Sequence, residues 1–474
     1  MHSRKWSRAF EWSSSSILAL ALAALLPGCG GGTSNPVVSP QSGTVFVTGM
    51  DAPLPSVVSF QVDITGLTVT DANNHSQSVL TGTQTVDFAR LNGLHTLLDI
   101  NTIPAGTYTS VTVTLANPQI SYLYVPSPPT TPPTRPTLST LNGTTSPAVT
   151  LTTSSVTVPL ATPLVVSAGN IIGLSFEFNL RKSVGVDAMG QITGAVTPVL
   201  HLKAITPSDA DAFIDDFVAG VVSVGTNSFV IQGPHGRQFT VNVNAQTEWE
   251  NNESISNLTS SSIIELSGTL DRTTATFLAD SVGILSQDHF FAGGLVTFEE
   301  PQTGTATDFD LYVRSVLPSG TGFNSGQISP INLTGNEVFY IYWMHSSFTN
   351  MFFNAALLTP GQQVAIGGPL ANGAVTVKRV VLRHEGHTGT LVANSVNLTA
   401  GTFQFNSTGL AGVLFNGPIT VQVTPFTRFG GGLAQLSDLG GNPANPLRVV
   451  GLVLKNANTG QPVFVARSVV ELPN

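Results

Sequence analysis

The sequence predicts an all-β protein, and three observations carry that prediction. Charged residues make up 9% of the 474 residues, against about 25% in a typical soluble domain, so Thr, Ser, Asn and Gln carry the polar surface. Gly (46) and Pro (30) recur along the chain and punctuate short apolar stretches with turns. Stretches such as TVFVTG and SFQVDITGLTVTD alternate apolar and polar residues with period two, while helical spacing is scarce. The chain is too long for one core, and its length suggests about three domains. Although 41% of residues are hydrophobic, no internal apolar run approaches the ~20 residues that a membrane-spanning helix needs.

The formal net charge is -9. Without residues 1–28, which hold Arg4, Lys5, Arg8 and Glu11, 15 basic and 26 acidic residues remain, a net of -11. Such a chain has no electrostatic footprint for nucleic acid and no basic patch for anionic headgroups.

At the N-terminus, Arg4, Lys5 and Arg8 precede an apolar run at 17–26 and then small residues, the layout of an export signal. Its end, Leu26-Pro27-Gly28-Cys29, resembles the lipobox of bacterial lipoproteins. That resemblance implies cleavage between Gly28 and Cys29 and diacylation of Cys29, with Gly30 favouring sorting to the outer membrane. The alternative is a plain secretory signal with a stray cysteine. A lone thiol in an exported protein invites intermolecular oxidation, whereas more than one acyl chain gives stable anchoring. Residues 29–42 then form a flexible Gly/Ser/Pro/Thr tether.

Residues 43–205 read as one β-domain with three landmarks: Asp51-Ala52-Pro53, the segment VDFARLNGLHTLLDI, and the turn PAGTY at 104–108. In the turn, Pro presets the bend, Gly106 allows a positive φ, and Tyr108 starts a strand with its ring on the core. In this order the landmarks resemble a bacterial domain-of-unknown-function family (number 4382) found at the front of envelope lipoproteins. The resemblance implies a prealbumin-like β-sandwich. PSPPTTPPTRPT at 126–137 cannot form a ladder, because each Pro removes a donor, and reads as a polyproline-like loop. An acidic linker at 206–216 ends the domain.

Three copies of one unit follow, at 217–287, 288–385 and 386–474. FTVNVNAQTEWEN (239–251) and ITVQVTPFTRFGG (419–431) match in register, placing Val241 on Val421, Thr247 on Thr427 and Trp249 on Phe429. INLTGNEVFY puts Ile331, Leu333 and Phe339 at the same stations. Each copy opens on a glycine (Gly220, Gly293, Gly389), and a late apolar strand ends in glycine: IIELSG, QVAIGG, LRVVG. Val282, Val380 and Val469 fall in step near the close. The size of each unit suits a small closed barrel, and the patterning favours OB-like geometry. The copies resemble a second domain-of-unknown-function family (number 5666) that occurs in tandem in exported proteins.

Motifs for catalysis are scarce. The sequence has no G-x-S-x-G elbow, P-loop or dinucleotide turn. RHEGHT at 383–388 fails H-E-x-x-H by one position and sits in a strand link, so it reads either as an interdomain turn or as a two-His surface metal site. Asp209, Asp211, Asp215 and Asp216 read as a solvated linker or a calcium site between β-domains, lacking the EF-hand glycine and terminal Glu. Asp51 reads as the cap of its own turn or, alternatively, as a metal ligand within it. In the aromatic stretch 339–353, alternation buries Phe339, Ile341 and Trp343 and exposes Tyr340 and Tyr342. With Met351, Phe352 and Phe353 these offer a ring-bearing surface for a glycan or another envelope protein.

The resulting expectation is a monomeric, lipid-anchored envelope protein, non-enzymatic, with no cofactor beyond calcium. Its sandwich and barrels would reach outward to present loops and rings to a ligand. The rival expectation is a hydrolase with carboxylates assembled between barrels.

Overall fold

A computed structural model of the chain describes residues 41–472, apart from 53, 55–56, 92–93, 125–134, 188–190, 210–211, 233–237, 251–252, 272–273, 275, 287–288, 343–351, 408–416, 442, 444 and 457–458. Nearly every described element is a strand. No helix among the described residues is long and apolar enough to cross a membrane.

The N-terminal domain pairs two main sheets across one apolar core. In the first, Ser42–Ala52 lies parallel to Ile171–Asn179 and antiparallel to Thr96–Pro104. The second is organised by the long antiparallel pair of Val57–Asp71 with Gly106–Tyr124. Period-two alternation sends Val45 and Val47 from one sheet and Val62, Ile64, Val111 and Val113 from the other into a shared core. Phe60, Phe88, Phe176 and Phe178 fill its centre with tilted and edge-on ring contacts. Tyr108 is buried there, and its hydroxyl donates to the Pro104 carbonyl at 2.8 Å, which ties the PAGTY turn to its own strand. Gly106 departs from expectation. It begins the strand and is not among the positive-φ residues, so extended backbone suffices there.

The first and third repeats are ringed sheets. In the third, Glu385–Leu391, Thr402–Ser407, Ile419–Gly430, Leu447–Lys455 and Pro462–Glu471 form a closed barrel. In the first, the sheet that starts with Ile214–Val224 is joined end to end by the parallel pair Val241↔Phe277. That sheet already begins inside the stretch read as linker. The middle repeat differs. Among its described residues, Ile328–Asn332 pairs only with Asp308–Leu317, and the ring stays open. The segment around Val375, which would close it, folds back on Gln363–Ala371 as a two-residue strand. Pro330, without an N–H, blunts the open edge.

The late glycine of each repeat has a physical cause. A Cβ on Gly268, Gly368 or Gly451 would collide with the carbonyl of Leu278, Thr376 or Val465 on the facing strand. In the first and third repeats the register shifts at that point, a bulge that presses the two backbones together. The Thr station belongs to the same device. Thr247 and Thr427 donate to the carbonyls of Ala279 and Ala466 beside the bulge, at 2.8 and 2.6 Å. The opening glycines align one residue differently from the sequence reading. The ladders place Ala219, Gly294 and Gly389 in equivalent positions, opposite Ile264, Val364 and Leu447.

Residues 40–474 form one compact unit. Phe46, Leu97, Ile100 and Ile205 of the sandwich join the apolar cluster of the first barrel. Ile263 and Leu285 of the first repeat meet Phe291, Ala365 and Val381 of the second. Leu452 and Val465 of the third pack into the cluster of the second. Arg135, near the end of the proline-rich loop, clamps Asp308 and Asp310 of the second repeat and lies 4.7 Å over the Phe298 ring. Modules reaching outward, the sequence expectation, give way to modules packed on one another.

Candidate functional site

Where the repeats meet, strands that are otherwise apolar carry charges. Three of the chain's 18 basic residues, Arg383, Arg448 and Arg467, are buried here with Asp215, Glu250, Glu265 and Glu385. Outward positions on these strands are small, apolar or charged according to the neighbour they meet. The ladder equivalence puts Glu265, Ala365 and Arg448 at one station of the three repeats.

Arg383 Nε donates to Glu265 Oε2 at 2.6 Å, joining the second repeat to the first. Arg314 donates to Gln363 Oε1 at 3.1 Å and to the Val58 carbonyl at 3.3 Å, bridging to the sandwich. Arg467 Nη1 donates to Asp215 Oδ1 at 3.2 Å, and His95 Nδ1 lies 3.8 Å from Asp215 Oδ2. Burial pushes the Glu265 carboxyl well up; Arg90 opposes this and Glu250 adds to it. Burial, then the Arg90 charge, pulls Arg383 down to about 9. Burial alone would raise Asp215, but His95, Arg467 and Arg448 outweigh it and hold its carboxyl below the usual range. Burial, with Arg467 and Arg383 beside it, drives His384 well below the imidazole range.

This junction borders a cleft of about 630 Å³ between the first and third barrels, within the size range of small-ligand sites. His95, Asp209, Phe213 and Asp215 supply its floor; Leu270, Asp271 and Leu278 come from the first barrel. The third barrel contributes Arg428, Phe429, Arg448 and Arg467. Each acid is already engaged. Asp209 Oδ2 accepts the Thr206 amide at 2.6 Å, and Asp271 Oδ1 accepts the Thr274 amide and hydroxyl at 3.0 and 3.1 Å. Asp215 holds Arg467. The arrangement is suited to recognition by fixed donors, acceptors and apolar walls.

Several residues singled out in the sequence fall elsewhere. Tyr342, expected at the surface, is 2% exposed: Gly283 leaves room for its ring, and its hydroxyl lies 3.2 Å from Ser281 Oγ. Phe353 is 6% exposed and meets Phe339 edge-on. Tyr340 is half-buried beside Arg379. Phe352 alone of the four is well exposed, at 60%. The alternation argument failed because the second repeat is covered on both sides: Phe339 and Ile341 face its own core, and Tyr340 faces the first repeat. Trp343, Met351, Asp211, Gly28 and Cys29 lie outside the described residues, as does the Asp216 side chain.

The RHEGHT stretch is buried rather than a surface link, and its histidines part company. His384 packs edge-on to Tyr342 between repeats, with ring centres 5.3 Å apart. His387 turns into the third barrel against Phe464. There it bridges Ser407 Oγ at 2.8 Å and Glu385 Oε2 at 2.9 Å, a serine–histidine–glutamate chain whose members do not line the cleft. Asp51 is buried, and its carboxylate accepts the Leu180 amide at 3.3 Å; most of the turn that follows it lies outside the described residues. Among the described residues, no group of three or more His, Cys, Asp or Glu is placed to hold a metal. Of the acidic run read as a solvated linker or a calcium site, Asp209 accepts a backbone amide and Asp215 pairs with Arg467.

The sequence reading missed the junction. Its signal was present: in a chain so poor in charge, Glu265, Arg314, Arg448 and Arg467 interrupt apolar strands.

Fold and cleft together define a class: an all-β protein of packed sheets with a binding-sized cleft between repeats. Residues 42–193, about a third of the chain, match the model of a family described as a domain of unknown function (DUF4382). The match covers VDFARLNGLHTLLDI, which supplies Asp87, Arg90 and His95 to the junction. No curated protein matches the chain.

Proposed function

We propose that the chain is a lipid-anchored protein of the bacterial outer membrane that binds a ligand in the cleft between its first and third barrels. The carrying observation is the cleft itself, lined by Phe213, Phe429 and three arginines. Its acids are all engaged by donors, which favours recognition over carboxylate hydrolysis. A glycan or a segment of another envelope protein suits such a surface. The anchor rests on Leu26-Pro27-Gly28-Cys29, and the copies' likeness to family 5666 fits an exported protein.

Two measurements test this reading. The chain from residue 29 onward, applied to a glycan array, should give a hit that Leu278→Trp, filling the cleft, abolishes. A hit that survives Leu278→Trp moves the site elsewhere, and turnover of the bound glycan replaces binding with catalysis. Separately, full-length Cys29→Ala should leave the membrane fraction; its continued sedimentation with membranes sinks the anchor.

A further inference from the structure

We infer that the cleft takes an anionic saccharide of the uronic-acid class. This rests on the binding reading above and adds the chemistry of the ligand. The two walls of the cleft differ. The third barrel lines it with arginines from three adjacent strands, where Arg428 is paired in register with Ser468 and Arg448 with Val470, next to Arg467. The first barrel answers with Leu270 and Leu278.

Arg467 sets the head of the site. Its guanidinium carries five N–H donors in a planar fork. One of these is directed at Asp215, and the plane lies 5.3 Å over the Phe213 ring. A carboxylate matches such a fork bidentately. Arg428, its side chain 56% exposed, makes only a 3.4 Å contact with Asp280. An exposed pair of that length contributes little, so Arg428 can turn to a ligand at small cost. The rest of the lining selects among anions. Asp209, Ser208 and Asp271, held by their own turns, and Thr269 on its strand offer acceptors and hydroxyls, which a fatty-acid tail would leave unused. A sugar uses them through its hydroxyls and lays its C–H face on Phe213, Phe429 or Leu278. A carboxylate, a row of hydroxyls and an apolar face occur together in a uronic-acid residue.

The test is calorimetric titration of the chain from residue 29 onward with tetragalacturonate and with the uncharged galactose tetramer. It is run on wild type and on Arg428→Gln, an exposed change that leaves the junction intact. The uronate should bind at least about tenfold more tightly than the neutral tetramer. Its Kd should rise about tenfold in Arg428→Gln and rise with added salt, because exposed charges are screened. Equal binding of the two sugars, or a Kd unmoved by Arg428→Gln, overturns the anionic class and leaves binding in place. A blank uronate titration beside an array hit on a neutral glycan, lost in Leu278→Trp, does the same. Blank titrations together with a blank array overturn both readings.

Discussion

Glu265 and His384 are both buried beside Arg383, and burial gives them opposite pH responses. Burial raises the Glu265 carboxyl above its ordinary 4.5 and lowers the His384 imidazole below its ordinary 6.5. Above about pH 4.5 the unfolded chain gives up a proton that folded Glu265 keeps, so this residue makes stability fall as pH rises. Below about 6.5 the unfolded chain takes up a proton that folded His384 refuses, so this one makes stability rise with pH. Between these values each acts at about 1 kcal/mol per pH unit, and in the intact protein they offset one another. Single variants should separate them. Relative to wild type, His384→Leu should lose stability between about pH 5 and 6.5, whereas Glu265→Gln should gain it. Urea titrations at the two pH values read both slopes, and slopes of the same sign in the two variants contradict the assignment. Glu265 was legible only as a charge interrupting the apolar strand IIELSG. His384 lay inside RHEGHT and was weighed there as a ligand, although its environment is set by Tyr342 and Arg467, which local spacing does not reveal.

At the scale of elements the sequence was most informative where one repeat explains itself. The Thr247–Thr427 match is now a hydroxyl on the bulge carbonyl, and the glycine closing IIELSG, QVAIGG and LRVVG is a close backbone approach that in the first and third repeats makes the bulge. Gly451→Ala should therefore destabilise the protein by about 3 kcal/mol, as an overpacked backbone contact does. Gly440→Ala, with open space at its Cβ position, should change stability little. Denaturant midpoints decide this, and equal midpoints for the two variants contradict it. The aromatic strand was misread for a reason that generalises. Alternation tells which residues share a face, and a face away from the strand's own core is exposed only if no neighbour covers it. For Tyr342 the neighbour is Gly283 of the preceding repeat. The open ring of the middle repeat was equally hidden, because Val375 fits either pairing by pattern alone.

At the scale of the whole molecule, repeats and landmarks specified what each segment folds into and left open which outer faces meet. Glu265, Ala365 and Arg448 share a station, and their complementarity emerges only once the repeats are packed. A buried polar contact such as Arg383 on Glu265 is weak evidence for stability and better evidence for specifying one arrangement over others. Here that arrangement creates the cleft: separate barrels would leave Arg428 and Arg467 on one body and Leu270 and Leu278 on another. The most direct test is the radius of gyration of residues 41–474 by small-angle X-ray scattering. A single body of this length should give about 22 Å. A value well above this, as for separately moving domains, would mean that the barrels do not hold together and that the cleft does not exist.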